Sequence, residues 1–277
     1  MTGAIYAIVA LSLVMIFNAT NHINFAQGEM AMFSTYVAWT LMNAGLPYWA
    51  AFAATAALSF AGGMALERLV LRPFRDAPLL SVVVVFVALL LAFNALAGWI
   101  WGYVLKGFPS PVSAFHTGTS LIGAHELFVV AATVLMLTSL ALFFRLTPLG
   151  LSMRAAAQNP VSARLVGIRV GWTLTLGWGL AAAIGAVAGM LVAPIVFLDP
   201  DMMGGILLYA FAAALLGGID SPAGAVLGGL IVGVGENLLG AYVVGNDIKL
   251  TVALVVVVGV LIVRPRGILG RAIVRRV

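Results

Sequence analysis

Cysteine is absent from the 277 residues, which excludes disulfides, thiolate metal sites and cysteine nucleophiles. Charge is scarce as well: 8% of the residues are Asp, Glu, Lys or Arg, against roughly 25% in an ordinary globular domain. The three histidines, His22, His116 and His125, have no metal-ligand spacing, so no metal site is expected. A glycine-rich phosphate loop ending in Lys and then Ser or Thr is missing, since Lys106 precedes Gly107 and Lys249 precedes Leu250. The chain therefore does not hydrolyse ATP through such a loop, and any ATP energy has to arrive through a partner. No nucleophile with a base within reach is evident, so the chain does not read as an enzyme, and no cofactor is expected. No small-residue cleavage site follows the first apolar run, which is expected to be retained as a helix.

What takes the place of charge is apolar sequence, at 63% of residues and a mean hydropathy of +1.15. Runs long enough, or nearly so, to cross roughly 30 Å of hydrocarbon recur along the whole length. They fall near 4–18, 30–46, 49–66, 79–101, 127–144, 172–194, 203–217, 223–243 and 249–263. Backbone groups inside a bilayer must be satisfied within the segment, so the expected fold is all-α: a polytopic transmembrane bundle of eight or nine segments in one domain, 1–277. The shortest runs, 203–217 above all, leave room for re-entrant or broken helices.

Basic residues retained in the cytoplasm set the orientation. Arg68, Arg72 and Arg75 fall in one loop; Arg145, Arg154, Arg164 and Arg169 in a second; Arg264, Arg266, Arg271, Arg275 and Arg276 in the tail 264–277. An even number of segments separates these clusters if 203–217 crosses, while Lys106 and Lys249 fall in the opposite loops. The expectation is a multi-pass membrane protein with a cytoplasmic C-terminus. The first run, about 15 residues long with no basic neighbour, leaves the N-terminal side unassigned and is compatible with a late start codon. The net charge of +5 does not point to nucleic acid, because the arginines are spread over three juxtamembrane loops without interleaved aromatics; they set topology and touch anionic lipid.

The stretch 145–171 is a basic, helix-patterned island between membrane segments. Thr147 before Pro148 is an N-cap with proline at the first helical position, opening a helix that runs to Gln158. Asn159 and Pro160 repeat the signal, and Gly167 closes the second helix, Val161 to Val166, with a left-handed cap. Two short helices around a rigid corner are expected. Ordering some 25 residues costs entropy that must be offset by packing on something, either a cytosolic partner or the lipid surface.

Polar residues at membrane depth are the candidates for a translocation path, because charge there costs roughly 2.5–3.5 kcal/mol on insertion scales. Asn18, Asn21, His22, Asn24, Gln27 and Glu29 interrupt the first two apolar runs, either as a helix broken around a cavity or as a solvated turn. Asn94 is a further candidate or an interhelical hydrogen bond. Glu236 and Asn237 follow Gly224, Gly228, Gly229, Gly233 and Gly235, a small-residue run that lets helices approach closely; Glu236 reads equally as a gate residue or a hydrogen-bonded strut. Gly185 and Gly189 read as packing. Asp220 is expected to cap the helix that follows it.

The island residues Gly150, Arg154, Ala155, Ala157, Asn159, Ala163, Gly167 and Ile168 match the pattern G-x-x-x-R-A-x-A-x-N followed by A-x-x-x-G-I. With NFAQGEM (24–30), ERLVLRPFR (67–75), ALLGGIDSPAGAVLGGLIVGVGEN (214–237) and RPRGILG (264–270), the chain resembles the permease subunits of ABC importers for branched-chain amino acids and related solutes. The resemblance implies that the eight island residues couple to an ATPase cleft. It also implies two ATP-binding cassette subunits, a second and usually different permease subunit, and a solute-binding protein meeting the periplasmic loop 102–126. Loop 195–202, with Asp199 and Asp201, would be a second acidic contact on that face. The competing class, an ion-coupled secondary carrier, calls for paired intramembrane carboxylates and an internal repeat, whereas Glu29 and Glu236 stand alone and no repeat is convincing.

Overall fold

The computed structural model describes every residue except 21, 76, 113–122, 245–247, 264–265 and 271–277, so Asn21, His116, Arg264 and the arginines of the extreme tail lie outside the described residues. Eleven α-helices are described: α1 (Thr2–Thr20), α2 (Gln27–Asn43), α3 (Tyr48–Leu66), α4 (Leu79–Trp101), α5 (Ala124–Leu146), α6 (Pro148–Gln158), α7 (Pro160–Leu165), α8 (Val170–Val196), α9 (Gly204–Gly217), α10 (Pro222–Leu239) and α11 (Lys249–Val263). Nine coincide with the expected membrane runs within a few residues at each end, and α6 and α7 are the expected island pair. α3, α4, α5, α8 and α10, counted with their terminal turns, are long and apolar enough to cross a membrane.

The apolar periodicity that a globular helix shows is missing from α1, and burial explains why. Ala7, Ile8, Ala10, Val14 and Ile16 are completely inaccessible, so α1 is enclosed on all sides by α8, α9 and α10. α8, about 40 Å long at 1.5 Å per residue, is the second central element and packs α1, α2 and α3 around it. α4 and α5 lie outside, exposing Leu80, Leu91, Trp99 and Leu135 to the position of lipid.

Small residues allow these helices to touch. A Cβ placed on Gly229 or Gly233 of α10 would lie 2.5 Å from the Cα of Ala7 or 2.2 Å from the Cα of Gly3, so α1 and α10 meet backbone to backbone. The opposite edge of α10 makes a similar approach to α9, where a Cβ on Gly228 would fall 2.0 Å from the carbonyl oxygen of Ala213. Gly185 and Gly189 are packing residues as expected, facing Gln27 and Ala31 of α2.

α9 has 14 residues, about 21 Å, too short for a full span. The chain leading into it buries Leu198, Met202 and Met203. Leu198 also forms an isolated antiparallel bridge with Lys106 (N···O 2.9 and 3.0 Å), tying the segment before α9 to the loop after α4. At the other end of the bundle α3 continues into a π turn, Glu67–Leu71, and a short 3₁₀ turn at Arg72–Phe74. The arginine clusters 68–75 and 145–169 and Arg266 all lie at this end, called here the basic end.

Candidate functional site

The corner at 145–171 is built by local chemistry. The Thr147 hydroxyl accepts the Gly150 N–H at 3.0 Å, capping α6, and the Asn159 side chain accepts the Ser162 N–H at 3.0 Å, capping α7. Gly167 ends α7 at φ +84°, in the left-handed region that glycine adopts without strain. Gly150 is buried because a Cβ there would stand 2.4 Å from the Phe143 carbonyl oxygen, so α6 folds directly onto the end of α5. Ala156, Ala163 and Val170 form a small core, with Ile168 packed on it. Leu149, Leu151, Val161, Leu165 and Val166 are left exposed on the outside of the corner. Of the eight residues singled out in the sequence, Gly150, Ala163 and Ile168 hold the corner together and Ala155 is half-buried beside them. Asn159 and Gly167 bend it. Arg154 and Ala157 face inward.

What they face is a cavity of about 1650 Å³ that opens at the basic end. Its walls come from the last turns of α1 (Met15, Asn18, Thr20), from α6, from the start of α8 and from the turn between α9 and α10. The lining residues furthest into the bundle on α4 and α8 are Phe86 and Trp178, whose rings stack at 6.0 Å. One turn beyond Trp178, Gln27 donates to the Ala181 carbonyl at 3.0 Å and accepts from Asn24 at 3.2 Å; Asn24 also accepts the Ala26 N–H. Asn24 and Gln27 are fully buried, so these two side chains form a satisfied polar layer inside the bundle. Asn18 lines the cavity, and the Nδ1 of His22 lies 2.6 Å from the Thr20 carbonyl oxygen.

Beyond that layer a second polar group collects. Asn94 donates to Asp201 at 2.9 Å and to the Pro200 carbonyl at 3.0 Å, and Glu29 lies beside both Asn94 and Asp201. Glu29 is 6% exposed and its Oε2 has no hydrogen-bond partner. Asn94 is seven residues from the end of α4, roughly 10 Å in from that end. Two separate candidates of the sequence, Glu29 and Asn94, are therefore brought together, with Asp201 as a third member. Asp201 stays exposed while it accepts from Asn94 of α4, and Asp199 is half-buried beside it.

Glu236 and Asn237 are placed elsewhere. Glu236 accepts the Tyr6 hydroxyl at 2.7 Å, and Asn237 donates to the Thr2 hydroxyl at 2.6 Å and to Gly233. Both fasten α1 to α10, the strut reading of Glu236, and neither lines the cavity nor joins the Glu29 group. Asp220 is not the cap of α10, because Ser221 accepts the Gly224 N–H at 3.1 Å; Asp220 lines the cavity with Arg266. His125 sits between Ser110 and the Leu191 carbonyl, and among the described residues no cluster of His, Asp and Glu is arranged to hold a metal.

Sequence reasoning missed Glu67. It is 2% exposed, accepts the Thr175 hydroxyl at 2.6 Å, pairs with Arg75 and lines the cavity. The available signal was an acid closing an apolar run with an arginine eight residues on; the π turn that aims it at α8 leaves no mark in the sequence.

A family model described as "Branched-chain amino acid transport system / permease component" matches residues 1–263. The chain is 31% identical to the high-affinity branched-chain amino acid transport system permease protein LivH of Salmonella typhimurium, covering 99% of this chain and 94% of that one. It is 33% identical to the corresponding protein BraD of Pseudomonas aeruginosa, with the same coverage. A probable LivH of Methanocaldococcus jannaschii is 30% identical over 95% of this chain and 88% of its own length. Among solved structures, "PsaBC from Streptococcus pneumoniae in complex with Fab" aligns with a TM-score of 0.52 over 96% of this chain and 90% of that chain; at 12% identity the likeness concerns the fold alone. With nine apolar helices at the expected positions and relatives of this identity over nearly the full length, the chain belongs to the family of branched-chain amino acid transport system permease components.

Proposed function

We propose that this protein is the pore-forming subunit of an ABC importer in a bacterial inner membrane, with its basic end and C-terminus in the cytoplasm. It moves branched-chain amino acids or a related small polar solute. A binding protein delivers the solute at the end bearing the loop after α4. Two ATP-binding cassette subunits drive the cycle from the basic end, and a second permease subunit, different from this one, completes the pore.

The observation that carries this reading is the two-sidedness of the α6–α7 corner. Leu149, Leu151, Val161, Leu165 and Val166 form an exposed apolar face at the basic end, and the reverse side of the same corner, through Met153, Arg154 and Ala157, is a wall of the cavity. A partner seated on the outer face acts on the cavity without an intermediary. The cavity, open at the basic end and closed by Phe86 and Trp178, has the shape of a pathway open to the cytoplasm, and the Glu29, Asn94 and Asp201 group has the place of its outer polar station.

The test is gentle-detergent purification of the tagged chain expressed with its genomic neighbours, followed by native mass spectrometry and uptake measurements, with Arg154→Glu and Leu165→Asp as comparisons. The expected result is two ATPase subunits and one second permease on the wild type with ATP-dependent uptake, subunit recovery reduced on Leu165→Asp, and uptake lowered with the subunits retained on Arg154→Glu, whose side chain lines the cavity. A lone chain that accumulates solute on an ion gradient defeats the proposal.

A further inference from the structure

At the basic end, separated from the large cavity by the Glu67 and Arg75 pair, the turns after α3 close against the start of α8 around a pocket of about 220 Å³. Arg68, Arg72, Arg75, Arg169, Trp172 and Thr175 line it. Two guanidinium groups are held from behind. Arg68 lies over the Trp172 ring, its Cζ 4.7 Å from the centroid, and Arg75 is paired with Glu67, which Thr175 fixes in turn. The other two, on Arg72 and Arg169, are exposed, and the Glu67 to Arg75 contact is the one ion pair among the described residues, so neither has an acidic partner among them. Four arginines thus surround one small space against a single described carboxylate.

The first turn of α8 adds to the same field. This helix has 27 residues and no acid in its first turn, and its N-terminal end, at Gly171 and Trp172, opens into the pocket with the positive pole of the helix dipole. Such an arrangement selects a compact oxyanion with several acceptor oxygens. Planar guanidinium forks match phosphate two oxygens at a time, and forks already immobilised lose less freedom on binding. The pocket also stands at the edge of the apolar belt: Leu69, one residue from Arg68, is 77% exposed and Trp172 is 41% exposed.

We propose that this pocket is a phosphate-binding site, occupied by the headgroup of an anionic phospholipid whose acyl chains run along the exposed surface beside Leu69. A free phosphate group shares the chemistry, but the apolar rim favours the lipid. The site joins the α3–α4 connection to the end of the coupling corner, since Arg169 is the residue before α8. The inference does not depend on the solute or on the ATPase partners.

The experiment compares the wild-type chain with Arg72→Gln/Arg169→Gln, Arg72→Lys/Arg169→Lys and Trp172→Leu. Each is placed in nanodiscs of phosphatidylcholine with or without phosphatidylglycerol, and retained lipid is read by native mass spectrometry after mild delipidation. Wild-type chain is expected to keep one phosphatidylglycerol. At about fivefold per guanidinium lost, the double glutamine variant should bind roughly 25-fold more weakly. The lysine variant, keeping charge but not the forks, should fall between the two, and so should Trp172→Leu, which frees Arg68. Should a variant fail to fold, thermal stabilisation of the wild type by phosphatidylglycerol over phosphatidylcholine tests the same site. Stabilisation by inorganic phosphate without lipid retention keeps the phosphate site and removes the lipid as its source. Equal retention by wild type and glutamine variant, or a lysine variant equal to wild type, overturns the proposal, because the lipid would then be following net charge and not a built pocket.

Discussion

Two glycines of α10, six residues apart, should respond in opposite ways to the same added methyl group. On Gly229 the new Cβ would stand 2.4 Å from the Ala7 nitrogen and 2.5 Å from its Cα, whereas around Gly235 nothing lies within 4 Å. Ordinary carbon contacts are roughly 3.5–4.0 Å, so Gly229→Ala has to move α1 away from α10 by about 1 Å. Neither side can yield by a rotamer change, because both obstacles are backbone. The separation also loosens the Tyr6 to Glu236 and Asn237 to Thr2 hydrogen bonds that span the same seam. Overpacking of this kind costs about 1–3 kcal/mol, and the upper half of the range applies where backbone meets backbone. Gly235→Ala meets no obstacle and gains roughly 0.5–1 kcal/mol from the better helix former. The two variants should differ by about 2–4 kcal/mol, which at roughly 2–4 °C per kcal/mol for a chain approaching this size is a gap of some 5–15 °C. Melting of detergent-solubilised protein, followed by fluorescence-detected gel filtration, measures it. If the two variants melt together, or if Gly235→Ala is the less stable, the backbone contact between α1 and α10 is wrong.

Three further outcomes follow from the polar contacts. Asn159→Ala removes the cap of a six-residue helix, a loss of about 1 kcal/mol confined to the corner; global melting should hardly change, while amide exchange rises over 159–167 and solute-driven ATPase activity falls in the assembled transporter. Glu67→Gln removes the Arg75 partner; because the Arg75 side chain is 31% exposed, the expected loss is about 1–2 kcal/mol, below the roughly 3–5 kcal/mol of a fully enclosed pair, and it is read as a lowered melting temperature. Glu29→Gln and Glu236→Gln should separate transport from stability: the first lowers uptake by well-folded protein, and the second lowers melting through loss of the charged bond to Tyr6, worth about 1.5–3 kcal/mol, with uptake per folded molecule unchanged. A transport defect confined to Glu236→Gln would reverse the two assignments.

Hydropathy placed nine helices within a few residues because length and apolarity are properties of the segment itself. The capping residues of α6 and α7 were legible for a related reason: Thr147 and Asn159 act on amides three residues away. Asp220 was misassigned as a cap because Asp and Ser are equally good at that task, and only backbone geometry chooses Ser221. The polar residues of the helices were harder, since an intramembrane Glu or Asn looks the same in sequence whether it lines a path or fastens a seam. Glu29 and Asn94 meet because α2 and α4 adjoin, and Asp201 joins them because a bridge between Lys106 and Leu198 holds the segment before α9 in place. Glu236 meets Tyr6 across 230 residues of chain. No period or spacing encodes either meeting.

The geometry of α8 explains how a force on the corner would reach the closed part of the pathway. The helix begins three residues after Gly167, so the corner and α8 have almost no slack between them. Thr175, Trp178 and Ala181 follow at intervals of three, each step falling about 60° short of a full turn, so the three residues face three different neighbours. Thr175 binds Glu67, Trp178 stacks on Phe86, and the Ala181 carbonyl takes the Gln27 amide. These are the cavity wall, the aromatic closure and the polar layer behind it, each gripped by one element. A rigid-body shift of α8 along its axis therefore disturbs all three together, whereas a local bend could release one and leave the others closed. α8 has the makings of such a rod: about two thirds of it is buried, and its one proline, Pro194, lies in the last turn, far from these three residues. Stiffness is what the proposed function requires of this helix, because a signal delivered at the basic end has to arrive about 16 Å further in, at Ala181, without being absorbed on the way.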